Sequence, residues 1–116
     1  EFRTFSGRPL MLKGIFSRDD VALCREVKPD IAVVSNHGGR VDTPYMSTAS
    51  FLEKYAAELR NYCGEVWVDG GIRTSRDVRT AKFLGADAVL AARPFISALC
   101  SGGELKMSEV IKDMLN

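Results

Sequence analysis

Four short apolar runs, each closing on a polar or cationic residue and each followed by a stretch with helical spacing, constrain this chain more than any other feature. The clearest is Ile31-Ala-Val-Val-Ser35. A continuous apolar run rich in β-branched residues reads as a central strand of a parallel sheet. Pro9-Leu-Met-Leu-Lys-Gly-Ile15, Glu65-Val-Trp-Val-Asp69 and Asp87-Ala-Val-Leu-Ala91 read the same way. Between the first two strands, Ser17 offers an N-cap, Asp19 and Asp20 suit the first helical turn, and Pro29 ends the helix. Val21, Leu23, Cys24 and Val27 form its expected apolar side. The next helix is expected over Thr48 to Tyr62, with Phe51, Leu52, Tyr55, Leu59 and Tyr62 on one face and Gly64 as its stop. Ser75 is expected to cap a helix from Arg76 to Leu84, ended by Gly85. After the last strand, helices are expected over Phe95 to Cys100 and from about Ser108 to Leu115, separated by Gly102-Gly103. Strand starts fall roughly 22 to 34 residues apart, the spacing of right-handed βα crossovers. The expectation is an α/β fold of four βα units.

At 116 residues the chain is long enough for one compact domain, taken as residues 1–116. A net charge of +1 gives no support to a nucleic-acid partner. No run approaches the ~20 apolar residues that span a bilayer, so no membrane role is expected. The stretch Glu1-Phe-Arg-Thr-Phe-Ser-Gly-Arg8 has no signal-peptide apolar region. Cys24, Cys63 and Cys100 are odd in number and far apart, which favours buried thiols in the cytoplasm over a disulfide framework or a metal site.

The chemistry gathers at the strand ends. In α/β proteins ligands bind outside the carboxyl ends of parallel strands. The four ends carry Lys13, then Ser35, His37 and Arg40, then Asp69 and Arg73, then Arg93. His37 is the only histidine. A neutral imidazole takes up a proton near neutral pH, and the Arg40 guanidinium can hold a carboxylate by two parallel hydrogen bonds. Lys13 lies in an apolar strand, which is expensive unless its ammonium meets an anion at the rim. Gly70-Gly71 before Arg73, and Arg93 before a helix, are materials for a phosphate site. Taken singly, each has a plainer reading: a tight turn, a solvated arginine, a satisfied histidine, or Asp69 merely paired with an arginine. Their coincidence at four consecutive tips favours function. Asp42, Tyr45, Tyr55, Tyr62 and Trp67 admit both core and surface readings.

Leu12-Lys-Gly-Ile15, Ser35-Asn-His-Gly-Gly-Arg40, Asp69-Gly-Gly-Ile-Arg73 and Leu84-Gly-Ala-Asp-Ala-Val-Leu90 with Arg93-Pro94-Phe95 resemble the FMN-dependent 2-hydroxy acid oxidases and dehydrogenases. Glycolate oxidase, lactate oxidase and flavocytochrome b-type lactate dehydrogenase belong to that family. The resemblance runs from about Pro9 to Glu104. It implies a TIM (β/α)8 barrel, of which this chain would be the C-terminal half. It implies FMN as cofactor and a small 2-hydroxy acid as substrate. By resemblance, Lys13 would approach the flavin N1/O2 edge and Ser35 the flavin or its ribityl chain. His37 would be the base and Arg40 the substrate clamp. Asp69, Gly70, Gly71, Arg73, Ala92 and Arg93 would hold the ribityl and phosphate groups.

Two departures follow from the same resemblance. Ala92 stands where the family usually has glycine, which threatens to crowd the phosphate. The family's first half-barrel supplies a tyrosine, a further arginine or glutamine, and the aspartate that orients the histidine. Without that aspartate this chain alone is expected to turn over little substrate. Two other functions compete: a non-catalytic flavin- or phosphate-binding half-barrel that self-associates, or a flavin-dependent isomerase on a similar barrel. Open sheet edges and an uncovered inner face predict a homo-oligomer or pairing with a missing N-terminal half.

Overall fold

The structure is a computed structural model that describes residues 2–40 and 46–116. The middle of the loop after Arg40, with Asp42 and Tyr45, lies outside the described residues. The elements run α1 (Phe2–Ser6), β1 (Met11–Ile15), α2 (Arg18–Val27), β2 (Ile31–Val34), α3 (Thr48–Leu59), β3 (Glu65–Val68), α4 (Ser75–Phe83), β4 (Ala88–Val89) and α5 (Arg93–Leu115). The strands form one parallel sheet in the order β1-β2-β3-β4. This is the expected beat of four βα units, preceded by a short α1 that the sequence did not signal.

One face of the sheet is packed against the helices. Leu12, Ile15, Ala32, Val34, Val66, Val68 and Val89 of the strands meet Val21 and Cys24 of α2, Phe51, Leu52, Ala56 and Leu59 of α3, and Ala81 of α4. Phe51 anchors this layer, its ring 5.2 Å from Phe16 and 4.7 Å from Tyr55. Strand residues alternate between faces, so Lys13, Val33, Ser35, Trp67 and Asp69 belong to the opposite face. In a closed barrel that face would be the interior. Here Met11 is 43% exposed and Trp67 half-buried.

Several helix details differ from expectation. Thr74, not Ser75, caps α4: its hydroxyl accepts from the Asp77 N–H, while the Asp77 carboxylate accepts the Thr74 N–H. Ser17 and Asp20 form the same reciprocal box at α2. Leu23 is exposed because it sits two residues from Val21, on the far side of α2. Cys24 is buried as expected, and burial pushes its thiol up to about 11. Cys63 is only half-buried and Cys100 is exposed. The last helix begins at Arg93, earlier than expected, and is broken at Gly102 and Gly103, whose backbones are non-helical. No helix among the described residues is long and apolar enough to cross a membrane.

The amino ends of the strands are tied by two aspartates. Asp30 precedes β2, and its carboxylate accepts the Leu10 N–H at 2.7 Å. Asp87 precedes β4, accepts the Val66 N–H at 2.8 Å and pairs with Arg60 at 2.8 Å. Burial raises the Asp87 pKa, but the Val66 N–H and the Arg60 guanidinium outweigh it and hold the carboxyl below the usual range.

Candidate functional site

At the carboxyl ends a single bulge sets the geometry. The β1–β2 register shifts between Lys13 and Ile15, so Gly14 is an extra residue, at φ +101°. Strict alternation would put Lys13 and Ile15 on one face. The bulge sends Ile15 into the helix-covered core while Lys13 keeps the open face. The Lys13 ammonium lies 2.6 Å from Asp69 Oδ2 and donates to Ser35 Oγ at 2.8 Å. The same Ser35 oxygen accepts the His37 N–H at 3.2 Å. Ser35 is fully buried, and through it and the half-exposed Lys13 the network joins the ends of three strands. The other Asp69 oxygen, Oδ1, is buried and has no hydrogen-bond partner among the described residues.

The turn after β2 is built from Asn36. Its side-chain oxygen accepts the Gly38 N–H at 3.1 Å, and its carbonyl accepts the Gly39 N–H at 2.9 Å. His37 between them has φ +52°. A non-glycine residue held in that region is uncommon and marks a position whose surroundings impose it. The turn after β3 is locked from two sides. Thr48, buried at the start of α3, donates its hydroxyl to the Gly70 carbonyl at 3.1 Å. A Cβ on Gly70 would sit 2.7 Å from Asn36 Oδ1 and 3.2 Å from Thr48 Cγ2, at φ +86°. Only glycine allows the two turns to close against each other there.

Above these turns lies a 460 Å³ cavity. Its walls carry Lys13, His37, Arg40, Asp69, Arg73 and Arg93, with Gly70, Gly71 and Ala92. Every residue singled out from the sequence is on that wall except Ser35, which lies directly under it. Volumes of about 300–1,000 Å³ are usual for cofactor sites. Four cations face one carboxylate already paired with lysine, so the mouth favours anions. The α5 N-cap, Ala92, makes no side-chain hydrogen bond to the helix end. Its φ of −123° is open to any residue, so the methyl group costs the backbone nothing.

Asn36 and Thr48 shape the site although the sequence does not single them out as functional residues. Asn36 adjoins His37, which is a signal of a kind. Thr48 reads only as a helix start, and its contact with Gly70 spans 22 residues. Ile72, Leu90 and Ile96 also line the cavity, but in the sequence they are ordinary apolar residues.

The family profile of the FMN-dependent dehydrogenases matches residues 1–116, the full chain. The chain belongs to this family. L-lactate oxidase of a Nostoc species is 40% identical over 94% of the chain, and human 2-hydroxyacid oxidase 2 is 33% identical over 99%. A peroxisomal (S)-2-hydroxyacid oxidase of Arabidopsis thaliana is 40% identical over 97%. Crystal structures of mandelate oxidase superpose with a TM-score of 0.84 at 36% identity over 97% of the chain. The chain spans about a third of these proteins: 30%, 32% and 31% of the three relatives and 34% of the solved chain. It is a partial barrel of four parallel strands, and FMN is the cofactor of its family.

Proposed function

We propose that this chain is the flavin-binding part of an oxidoreductase that converts a small 2-hydroxy acid, of the lactate or glycolate type, to the 2-oxo acid. The observation that carries the proposal is the convergence of Lys13, His37, Arg40, Asp69, Arg73 and Arg93 on one cavity. The residues fit FMN on grounds internal to the molecule. The unpartnered Asp69 Oδ1 calls for a donor, which a ribityl hydroxyl provides. The uncapped start of α5, beside Arg93 and across from Arg73, calls for a phosphate. Gly71, with open space where a Cβ would stand, leaves room for close approach to backbone, Ala92 completes the cradle, and Ser35 steadies Lys13 from beneath.

FMN, when bound, supplies the acceptor for two electrons. The chain's own residues do the rest. Arg40 holds the substrate carboxylate with its guanidinium fork. His37 takes the proton from the substrate hydroxyl as the C–H electron pair leaves the carbon. Lys13, fixed by Asp69 and Ser35, places a positive charge where negative charge accumulates. Among the described residues no carboxylate hydrogen-bonds to the His37 ring, so the imidazolium lacks the partner that usually steadies it. Turnover by this chain alone is expected to be slow.

The half-open inner face, with Met11 and Trp67 on it, supports association with a second copy or with a complementary half-barrel. Its thiols favour a reducing compartment, and the cytoplasm is our placement. One preparation tests both readings. Mixed with FMN and freed of excess flavin, the protein is expected to stay yellow, with one flavin per chain, and to elute above the monomer mass. A colourless protein overturns the flavin reading; a strictly monomeric elution overturns association alone. Bleaching with lactate or glycolate under anaerobic conditions is expected to be slow.

A further inference from the structure

The geometry points to Gly14 as the residue that positions the His37 imidazole. This rests on the reading of His37 as the base. A Cβ built on Gly14 would lie 2.8 Å from His37 Nε2 and 3.3 Å from Cε1. Both contacts are to one edge of the ring, the edge that carries the nitrogen farther from the backbone. Real Cβ atoms do not approach nitrogen that closely, so any side chain at position 14 would displace the ring. His37 is held at φ +52° and its N–H is tied to Ser35 Oγ, so the backbone stays in place and the exposed ring must swing away about its side-chain bonds, losing its position beside Gly14. The Gly38 and Gly39 N–H groups behind it are fixed to Asn36.

The bulge thus does two things with one residue. It keeps Lys13 on the open face beside Asp69, and it presents a bare Cα to the imidazole. Gly14 touches no reacting atom; it acts through His37. A positive φ of +101° by itself accounts for glycine there, so the test must separate backbone strain from the collision with the ring.

A double-mutant cycle does this. The strain of Gly14→Ala is present whether or not the ring exists, whereas the collision vanishes in a His37→Ala background. Urea unfolding is expected to show Gly14→Ala lowering the folded-to-unfolded ratio at least about threefold more in the wild-type background than in the His37→Ala background. Equal losses in both backgrounds overturn the assignment. Because His37 is the only histidine, its ring resonances are unambiguous. Gly14→Ala is expected to shift them at constant pH, while Gly7→Ala, at a positive-φ glycine with open space around it, leaves them in place. Unshifted ring signals in folded Gly14→Ala also overturn it. If Gly14→Ala does not fold in either background, the wild-type protein decides: a strong cross-relaxation peak between a Gly14 Hα and the His37 ring is expected, and its absence refutes the contact. None of these readouts involves flavin or turnover. Their failure therefore removes the Gly14 assignment and leaves the flavin reading to its own titration.

Discussion

The two ends of this sheet are built from the same residue types and do opposite things. At the amino ends, Asp30 accepts the N–H of Leu10 just before β1, Asp87 accepts that of Val66 in β3, and Arg60 closes over Asp87 and the Gly85 carbonyl. At the carboxyl ends, Asp69 also has a cationic partner, Lys13, but one of its oxygens is buried and has no hydrogen-bond partner among the described residues. Arg73 and Arg93 line the cavity there, and a helix begins without a side-chain cap. One end satisfies its polar groups internally and stabilises the fold. The other leaves polar groups to be satisfied by something that binds, as parallel α/β sheets commonly do. A carboxylate next to a cation is therefore not enough to identify a site; what identifies it is what remains unpaired.

Substitutions at the two ends should separate these roles. The largest effect is expected from Arg93→Ala, which would remove the charge-assisted contact proposed for the FMN phosphate, worth about 1.5–3 kcal/mol. FMN affinity should fall about 10- to 100-fold in a fluorescence titration, with little change in the thermal midpoint. A large loss of stability with unchanged affinity would break the comparison. Asp87→Ala is expected to do the reverse. It strands the Val66 N–H at the cost of about 1–2 kcal/mol in urea unfolding and leaves flavin affinity unaltered. The Arg60 pair adds little, being largely solvated.

The smallest effect is in acid. Asp87 is held low by the Val66 N–H and Arg60 against the opposing push of burial. Asp77 is held low by the Thr74 hydroxyl and the Arg73 N–H. Both fold with a pKa below the ordinary 3.8. Their contribution is complete above that value and disappears as pH falls through the lower folded value. The urea midpoint should therefore drop below about pH 4, and the drop should be shallower in Asp87→Asn.

Much of this was readable along the chain. Parallel strands buried on at least one face, short crossovers and reactive tips all depend on contacts between near neighbours in sequence. The Ser17–Asp20 box and the Gly102-Gly103 break are of this kind. The errors are equally physical. Ser75 and Thr74 are both good caps, and only the placement of Asp77 chose between them. Leu23 satisfied an apolar pattern but faced solvent. Thr48 starts α3 as expected, but the contact of its hydroxyl with Gly70, 22 residues away, has no local signal.

The sequence by itself determined that cations, a histidine and glycine turns stand at four strand ends, because strand polarity and crossover handedness leave one rim for all of them. Only the tertiary structure decided that Asp69 pairs with Lys13 rather than an arginine, that Ser35 lies beneath the cavity, and that Gly14 faces the imidazole. Those outcomes turn on a one-residue bulge and on distances between segments some 20 residues or more apart, and no local pattern encodes them.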